Sequence, residues 1–422
     1  MIKAALIGAG SRGAKRLASY ALRKPHDIQF VAVAEPNETR RREFAEQHRI
    51  PEEGQFTSWE EMLALPRLCE AILICTNDDL HFQPTMRALD IGYHILLEKP
   101  MANDPLETLL MAEKAKEKER LLLIAHVLRY SPFFIALKEL LEDEVIGNIV
   151  TIQWNENVVY WHQAHSYVRG NWGNRARSSP MILAKCCHDT DILQWLVGDE
   201  CEAVSSFGGL AYFHSGNAPE GAAERCIDGC AVEATCQFSA LKWYYNEIDD
   251  WPQNVVSDEP TLEARWQALA EGPYGRCVFY CDNDVVDHQV MNLRFKNGVT
   301  VAFTMAGFST DESDTRTFKV MGTKGEIRGH MEKNIIEVRD FTGKISRIHP
   351  EQIDGDHGGG DYNLMKDFVN IMQSGNFTEA KSSGEESARS HMIAFAAEHS
   401  RLTGEVVSLN AYMKAVREGI YS

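Results

Sequence analysis

The chain has no long hydrophobic run, and it has too few basic residues to balance its acidic ones. Its apolar stretches reach only strand length, well short of what a membrane-spanning helix needs. Lys and Arg total 43 against 61 Asp and Glu, which gives a formal net charge of −18. Because such a surface repels phosphate backbones and anionic lipids, we expect neither nucleic acid nor a membrane as a partner.

Cysteine is too sparse for a disulfide scaffold, with ten residues in a chain of 422. The apolar N-terminal stretch runs directly into a glycine-rich turn and lacks the small-residue cleavage site of a signal peptide, so we interpret it as a strand. We therefore expect a cytoplasmic protein with reduced thiols. The 44% of hydrophobic and 25% of charged residues are typical of globular proteins, and the length predicts two or three domains.

The first third of the chain alternates short apolar strands with helical patterns. Strands are predicted at residues 3–8, 28–34, 71–75, 94–97 and 121–125. Strands that are apolar on both faces and alternate with helices indicate a parallel sheet covered on both sides. We therefore predict an α/β Rossmann domain, with a doubly wound parallel sheet, over residues 1–128.

The pattern changes after residue 128. Strands dominate at 149–159 and from about 202 to 350, one helix is predicted at 181–196, and C-terminal helices lie within 361–403. An insert at about 214–285 has poor periodicity. We predict that residues 129–422 form an α+β domain with a large open, mostly antiparallel sheet, which supplies the substrate site and the oligomer contacts.

A G-x-G-x-x-G sequence, Gly8-Ala9-Gly10-Ser11-Arg12-Gly13, follows the first strand and opens a helix. In this context the glycines allow a tight turn and close approach of a pyrophosphate, which then faces the helix N-terminus. Glu35 ends the second strand, where a carboxylate accepts from the ribose diol and repels a 2′-phosphate. We predict NAD in preference to NADP, a preference that the neighbouring Arg40 and Arg41 would weaken. The alternative is a glycine turn that binds no nucleotide.

Two further segments carry a resemblance to a known family. Thr76-Asn77-Asp78-Asp79-Leu80-His81, and Gly92-Tyr93-His94 leading to Glu98-Lys99-Pro100, resemble the motifs of the Gfo/Idh/MocA oxidoreductases. The resemblance implies an NAD-dependent dehydrogenase in which Lys99 lies at the nicotinamide and the substrate, where its ammonium holds a substrate oxygen. It implies further cofactor contacts from Thr76, Asn77, His81, Glu98 and His126, of which His126 replaces a family asparagine. A solvated loop lysine is the alternative for Lys99.

The helix predicted at 181–196 resembles the family's second-domain motif, with His188, Asp191 and Gly198 in matching places. The family's first aspartate is replaced by Ala184, and Lys185 stands beside it. Because Lys185 and His188 would share a helix face, we predict that Lys185 takes over the polar role. His188 is the predicted general acid–base, since the ordinary pKa of histidine lies near neutrality. A core histidine capped by Asp191 is the alternative.

Other segments of the second domain combine aromatic rings with hydrogen-bonding groups, a combination that suits a sugar ring or a polyol. The residues predicted to bind substrate are Arg129, Trp161, His165, Arg169, Trp172, Asp191 and His357. For the segment 161–172 the alternative is a surface loop anchored by tryptophans. For Arg129 the alternatives are a cofactor contact and a cap of the following helix.

Cys226, Cys230 and Cys236 form a C-x3-C-x5-C pattern within the insert. Three thiols this close suit a structural zinc ion, which needs four nitrogen or sulfur ligands and orders small loop-rich segments. Free buried thiols are the alternative, because the second spacing is loose and no fourth ligand is identified.

Together these features predict an NAD-dependent oxidoreductase that transfers a hydride between nicotinamide and a carbinol carbon of a sugar, polyol or sugar derivative. The resemblance implies a homodimer or homotetramer. Two alternatives stay open: an NAD-dependent glycoside hydrolase that works by transient oxidation and elimination with no net redox change, and a non-catalytic nucleotide-sensing regulator. The presence of both Lys99 and His188 favours an enzyme.

Overall fold

A computed structural model describes residues 1–310, 315–353 and 356–421. Its first sheet has six strands, β1 to β6: Ile2–Ile7, Ile28–Ala34, Gln55–Phe56, Ala71–Ile74, His94–Leu97 and Leu122–Ile124. They lie in the order β3-β2-β1-β4-β5-β6, and all pairings are parallel. This confirms the predicted Rossmann fold. Ligands of such sheets bind where the strand order reverses, which here is between β1 and β4.

Both faces of this sheet are buried, as the unbroken apolar strands predict. In β4, Ile72 and Ile74 belong to one hydrophobic core, whereas Ala71 and Leu73 belong to another. The longer helices of this part are Ser19–Arg23, Glu38–His48, Trp59–Leu63, Phe82–Ile91 and Pro105–Glu117, and a π-helical segment, Ser11–Leu17, precedes the first of them. Short 3-10 helices are Glu52–Gly54, Asp78–Leu80 and Val127–Tyr130.

The second sheet has nine strands, β7 to β15: Ile149–Val159, Cys201–Gly209, His288–Phe295, Thr300–Ser309, Arg316–Gly322, Gly325–His330, Ile335–Asp340, Ile345–Ile348 and Val407–Ser408. Their order is β14-β13-β12-β11-β7-β10-β9-β8-β15. Strands β7 and β10 pair in parallel, and the other pairings of the described strands are antiparallel. Residues of β9 alternate between exposed and buried, so one face of the sheet is packed and the other is open. The predicted open, mostly antiparallel sheet is confirmed.

Helices pack this sheet against the first domain. The α-helices are Pro132–Glu142, Tyr160–His162, Met181–Ala184, Cys187–Val197, Ala240–Tyr244, Gln253–Val256, Leu262–Glu271, Gly360–Ser374, Gly384–Thr403 and Leu409–Arg417. Tyr160–His162 continues into a π-helical segment, Gln163–Arg169, and 3-10 helices lie at Asn171–Gly173, Ser215–Asn217, Pro273–Gly275, Asp356–Gly359 and Phe377–Glu379. The helix Gly384–Thr403 contacts both β8 and Pro105–Glu117. Leu364 and Phe368 of Gly360–Ser374 share a core with β1 and β2, so this C-terminal helix covers the Rossmann sheet.

The single helix predicted at 181–196 is wrong. The chain forms two helices, Met181–Ala184 and Cys187–Val197, and Lys185 and Cys186 lie at the break between them. The insert consists of three α-helices, two 3-10 helices and loops, and it adds no strand to the nine-stranded sheet. Among the described residues, no helix combines the length and the apolar character that crossing a bilayer requires.

Candidate active site

The turn after β1 has close contacts that only glycine permits. Gly8 has a φ of +89°, and a Cβ there would lie 2.6 Å from the carbonyl oxygen of Cys75. A Cβ on Gly13 would lie 2.2 Å from the carbonyl oxygen of Gly8. At Gly10 a Cβ would meet no atom within 4 Å, and the next residue, Ser11, is exposed. A tight turn with open space before the helix fits the pyrophosphate of a dinucleotide.

Glu35 directly follows β2 and is 6% exposed. Its Oε2 accepts a hydrogen bond from the backbone N–H of Ala9 at 2.7 Å, and its Oε1 accepts from that of Asn37 at 2.9 Å. These bonds fix the carboxylate beside the glycine turn. A carboxylate has about four acceptor sites, so lone pairs remain for the hydroxyls of a ribose.

The guanidinium of Arg12 joins three parts of the chain. Its Nε donates to Glu98 Oε1 and its Nη2 donates to Asp361 Oδ1, each at 2.7 Å. Glu98 Oε2 accepts from the backbone N–H of Lys99 at 3.1 Å, and Asp361 Oδ2 lies 2.8 Å from His357 Nδ1. The sequence predicts that the pyrophosphate-binding turn, Arg12 included, and Glu98 contact the cofactor. The structure also gives them a positioning role, because they tie the glycine turn to the loops that carry Lys99 and His357.

Lys99 follows β5 at the carboxyl edge of the Rossmann sheet. Its Nζ donates to the carbonyl oxygen of Ala184 at 2.9 Å. Ala184 belongs to the second sheet's domain and occupies the place of the missing aspartate. The structure therefore brings the lysine of the first domain against the altered motif of the second.

His81 braces two loops at the same edge. Its Nδ1 lies 2.7 Å from the carbonyl oxygen of Pro100, and its Nε2 lies 3.1 Å from that of Thr76. The exposed Asn77 follows Thr76. His81 is fully buried, and its two contacts hold the Lys99–Pro100 turn against the loop at Thr76.

Three histidines lie close together, and the charge of Lys99 acts on two of them, His188 and His126. The ring centroids of His188 and His126 are 5.8 Å apart, and those of His188 and His357 are 6.0 Å apart. Burial lowers the pKa of His188 well below its usual value, and Lys99, His126 and His357 lower it further. Burial also lowers the pKa of His126, with contributions from Arg129 and Lys99. His188 is therefore held in its neutral form, in which one ring nitrogen is an acceptor, and burial disfavours its protonated form.

His188 has an unsatisfied ring nitrogen. Among the described residues, its Nδ1 has no hydrogen-bond partner, and neither has either ring nitrogen of His126. A buried polar atom without a hydrogen-bond partner reduces the stability of the folded protein. At functional sites such atoms mark groups that pair with a ligand. This favours the predicted chemical role of His188 over that of a satisfied core histidine.

Lys185 lies at the break between the two helices and pairs with a buried carboxylate. Its Nζ is 3.4 Å from Glu156 Oε1. Glu156 also pairs with Arg316 at 2.8 Å, and Arg316 Nε donates to Asp189 Oδ1 at 2.9 Å. Burial raises the pKa of Glu156. Sequence reasoning overlooked Glu156 and Arg316, which lie on strands β7 and β11, far from the motif along the chain.

Arg129 and Asp191 form a buried ion pair, so their predicted role in substrate binding is revised. Arg129 Nε donates to Asp191 Oδ2 at 2.6 Å, and Nη2 donates to Oδ1 at 2.8 Å. Their side chains are 3% and 1% exposed. Arg129 also donates to the carbonyl oxygen of Lys381. The pair joins the end of the Rossmann domain to the helix that carries His188.

Residues after β7 form an aromatic wall with the insert. The centroid of the Trp251 ring lies 5.2 Å from that of Trp161 and 4.8 Å from that of His162. Trp161 also stacks on Trp243 at 5.1 Å. The pKa of His162 is lowered by burial and by the nearby Lys185 and Lys99. The rings of Trp161, His162 and Trp251 are here called the aromatic wall, and its His162 lies near the two lysines. His162 was missed, although it stands next to Trp161 in the sequence.

Other residues predicted to bind substrate hold the insert in place instead. His165 Nδ1 lies 2.9 Å from Tyr244 Oη, and the His165 ring stacks on Tyr274 at 4.7 Å. Arg169 is 2% exposed and donates to the carbonyl oxygens of Arg276 and Phe238. Their buried contacts leave the predicted substrate role without structural support.

Trp172 binds the first domain. Its indole N–H is shared between the two carboxylate oxygens of Asp78, at 3.2 and 3.3 Å. Asp78 also accepts from the hydroxyls of Ser178 and Ser179 at 3.1 Å. Trp172 therefore links the domains at the edge of the site.

The predicted zinc site is not supported. Within residues 1–310, 315–353 and 356–421, no group of three or more His, Cys, Asp or Glu side chains is arranged to hold a metal ion. Cys226 Sγ accepts from the backbone N–H of Ala240 at 3.4 Å and lies 3.8 Å from Arg169 Nη2. A guanidinium beside the sulfur disfavours a cation at the same place. Cys226, Cys230 and Cys236 are free thiols.

Models of an oxidoreductase family match most of the chain. The model of its NAD-binding Rossmann fold matches residues 2–126, and that of its C-terminal alpha/beta domain matches residues 138–409. The oxidoreductase YteT of Bacillus subtilis is 24% identical over 344 residues, which is 78% of each chain. Inositol 2-dehydrogenase of Streptomyces avermitilis is 29% identical over 226 residues, 52% of this chain and 60% of that protein.

Solved structures share the fold. An oxidoreductase from Agrobacterium radiobacter, crystallised in complex with NAD+, L-tartaric acid and magnesium, matches 97% of this chain and 99% of its own. The TM-score is 0.70 at 15% sequence identity. At that identity the likeness extends to the two-domain architecture.

Proposed function

Because the chain belongs to the Gfo/Idh/MocA family of NAD(P)-dependent oxidoreductases, we propose that it oxidises a carbinol carbon of a sugar, polyol or sugar derivative with NAD. It is a dehydrogenase of that family. The observation that carries the proposal is the contact of Lys99 with Ala184 at the carboxyl edge of the Rossmann sheet, with His188 close enough to feel the charge of Lys99. Relatives named as inositol dehydrogenases support a polyhydroxylated substrate.

Lys99 and His188 supply the groups that alcohol oxidation requires. The ammonium of Lys99 donates to a carbonyl oxygen here and can donate to a substrate oxygen, where it stabilises developing negative charge. The neutral ring of His188 offers an acceptor nitrogen for the hydroxyl proton, although burial lowers its pKa and so opposes the transfer. When bound, the nicotinamide of the cofactor accepts the hydride. His162 of the aromatic wall lies near Lys185 and Lys99, so we expect the wall to hold the remainder of the substrate.

The preference for NAD is supported by Glu35. Its carboxylate is held by two backbone N–H groups at the end of β2. A fixed negative charge there attracts the ribose hydroxyls and opposes a 2′-phosphate. We therefore expect NADP to bind more weakly.

A panel of sugars, polyols and aryl glycosides, incubated with NAD, tests the proposal. NADH and released aglycone are measured in the same samples. Accumulation of NADH with a sugar or polyol is the expected result. Aglycone release without NADH would replace the proposal with a redox-neutral glycosidase, and the absence of both with every member of the panel would refute it.

A further inference from the structure

Two arginines follow Glu35, and the structure gives each a partner. Arg41 Nη1 donates to the carbonyl oxygen of Glu35 at 2.6 Å. Arg40 Nη2 lies 2.9 Å from Asp258 Oδ1, and Asn37 Nδ2 lies 3.5 Å from Asp258 Oδ2. Asp258 belongs to the insert of the second domain. A residue remote in sequence therefore forms an ion pair with Arg40, the arginine next to the predicted ribose site.

The pair borders a cavity of about 190 Å³ between the domains. On one side lie the glycine turn, at Gly10 and Ser11, and the first turns of the helix Glu38–His48. On the other side lies the insert. The charged side chains that line the cavity are Lys15, Arg40, Glu43, Asp249 and Asp258. Acids outnumber bases among them, and Glu35 adds a further carboxylate beside the glycine turn.

We propose that Asp258 is a cofactor-selectivity residue, which lowers the affinity for NADP by occupying Arg40 and by adding a negative charge where a 2′-phosphate would lie. The inference rests on the proposed use of NAD and extends it to a residue of the insert. Arg40 stands in the first turn of the helix after Glu35, so it is placed to meet a group on the 2′-oxygen of the ribose that Glu35 binds.

Charge explains the direction of the effect. A phosphate monoester carries a charge of about −1.5 to −2 at pH 7 and is attracted by an unpaired guanidinium. Asp258 neutralises Arg40 and repels the phosphate. NAD has no such group, so the same carboxylate affects its binding far less. The side chains of Arg40 and Asp258 are 42% and 47% exposed, which leaves the pair accessible from the cavity.

The test is the ratio of dissociation constants, Kd for NADP over Kd for NAD, measured by fluorescence titration. The variants are Asp258→Asn, Asp258→Ala and the double variant Arg40→Ala/Asp258→Asn. Glu259→Gln is the matched control, because Glu259 is an exposed acid of the same insert and its replacement changes the net charge equally. Thermal melts establish that each variant is folded.

We expect Asp258→Asn and Asp258→Ala to lower the ratio by about tenfold, mostly through tighter NADP binding. Adding Arg40→Ala should remove that gain, and Glu259→Gln should leave the ratio within about twofold. A wild-type preference for NAD that both Asp258 variants leave unchanged would overturn the role of Asp258 alone. Wild-type protein that binds NADP as tightly as NAD would refute the proposed cofactor preference itself.

Discussion

Buried neutral histidines should make this protein unstable in mild acid. His126, His165, His188 and His391 are each at most 6% exposed. Burial lowers the pKa of His165 and of His391 to about 3, and it lowers the pKa values of His126 and His188 well below the usual range. In the unfolded chain each would have a pKa of about 6.5.

His391 shows the structural cause. Its Nε2 accepts a hydrogen bond from the backbone N–H of Met101 at 3.0 Å, and its Nδ1 lies 2.6 Å from the carbonyl oxygen of Ser387. Nδ1 therefore donates and Nε2 accepts, which is the pattern of a neutral ring. A proton on Nε2 would break the bond to Met101 inside the core.

The sign and size of the effect follow from proton linkage. Below pH 6.5 the unfolded chain binds protons that the native protein excludes, so stability is complete above that pH and is lost as the pH falls. One pH unit below 6.5, each such histidine costs about 1.4 kcal/mol, and four cost about 6 kcal/mol. Burial raises the pKa values of Glu156 and Asp191, so these carboxyls offset part of the loss. The remainder is still a large share of a typical stability of about 5–15 kcal/mol.

Urea denaturation at pH 7.5 and 5.5, followed by tryptophan fluorescence, measures the difference. His391→Gln keeps an acceptor and a donor but takes up no proton. It should therefore reduce the difference in unfolding free energy between the two pH values by about 1.4 kcal/mol. The exposed His349→Gln is the control and should leave it unchanged. Equal unfolding free energies at the two pH values, within about 1 kcal/mol, would refute this reasoning.

Three further changes are expected to have separable effects. Lys99→Ala should lower kcat/KM by about 10²–10⁴ while the Kd for NAD stays near that of wild type, and near-native turnover would contradict the role of Lys99. Arg129→Ala should reduce the unfolding free energy by about 3–5 kcal/mol because it leaves Asp191 unpaired, whereas Arg294→Ala, which breaks an exposed pair with Glu202, should cost at most about 1 kcal/mol. Trp251→Ala should raise KM for the substrate by about threefold to tenfold with little change in Tm, and Trp266→Ala, in the same insert but outside the aromatic wall, should not.

Local patterns predicted the Rossmann part well. The strand Ile28–Ala34 has the bounds that the sequence predicts, and the helix Glu38–His48 follows it, as the alternation of strands and helices predicts. Buried parallel strands are apolar throughout, and the helix start is marked by Asn37, whose side chain accepts from the N–H of Arg40. These signals lie within a few residues of the structures they specify, so they can be recognised without knowledge of the fold.

The features that the sequence did not predict depend on contacts between residues that are far apart in the chain. The helix break at Lys185 is marked by neither glycine nor proline, and Lys185 pairs there with Glu156 of β7. Asp191 matches a family motif, yet its partner Arg129 comes from another domain. Asp258 and Trp251 lie in an insert without periodicity, and their contacts appear only once that insert is folded against Arg40 and the aromatic wall.

Formation of NADH in a single turnover tests the central claim most directly, with enzyme in excess over NAD and a sugar or polyol identified by the panel. Wild-type protein should form NADH. His188→Asn and Lys99→Ala should bind NAD yet form NADH at least about 10²-fold more slowly, because one lacks the proton acceptor and the other the ammonium. Excess enzyme also makes the signal visible when the cofactor stays bound. NADH formation at the wild-type rate in both variants would contradict the assignment of Lys99 and His188 as the reacting groups.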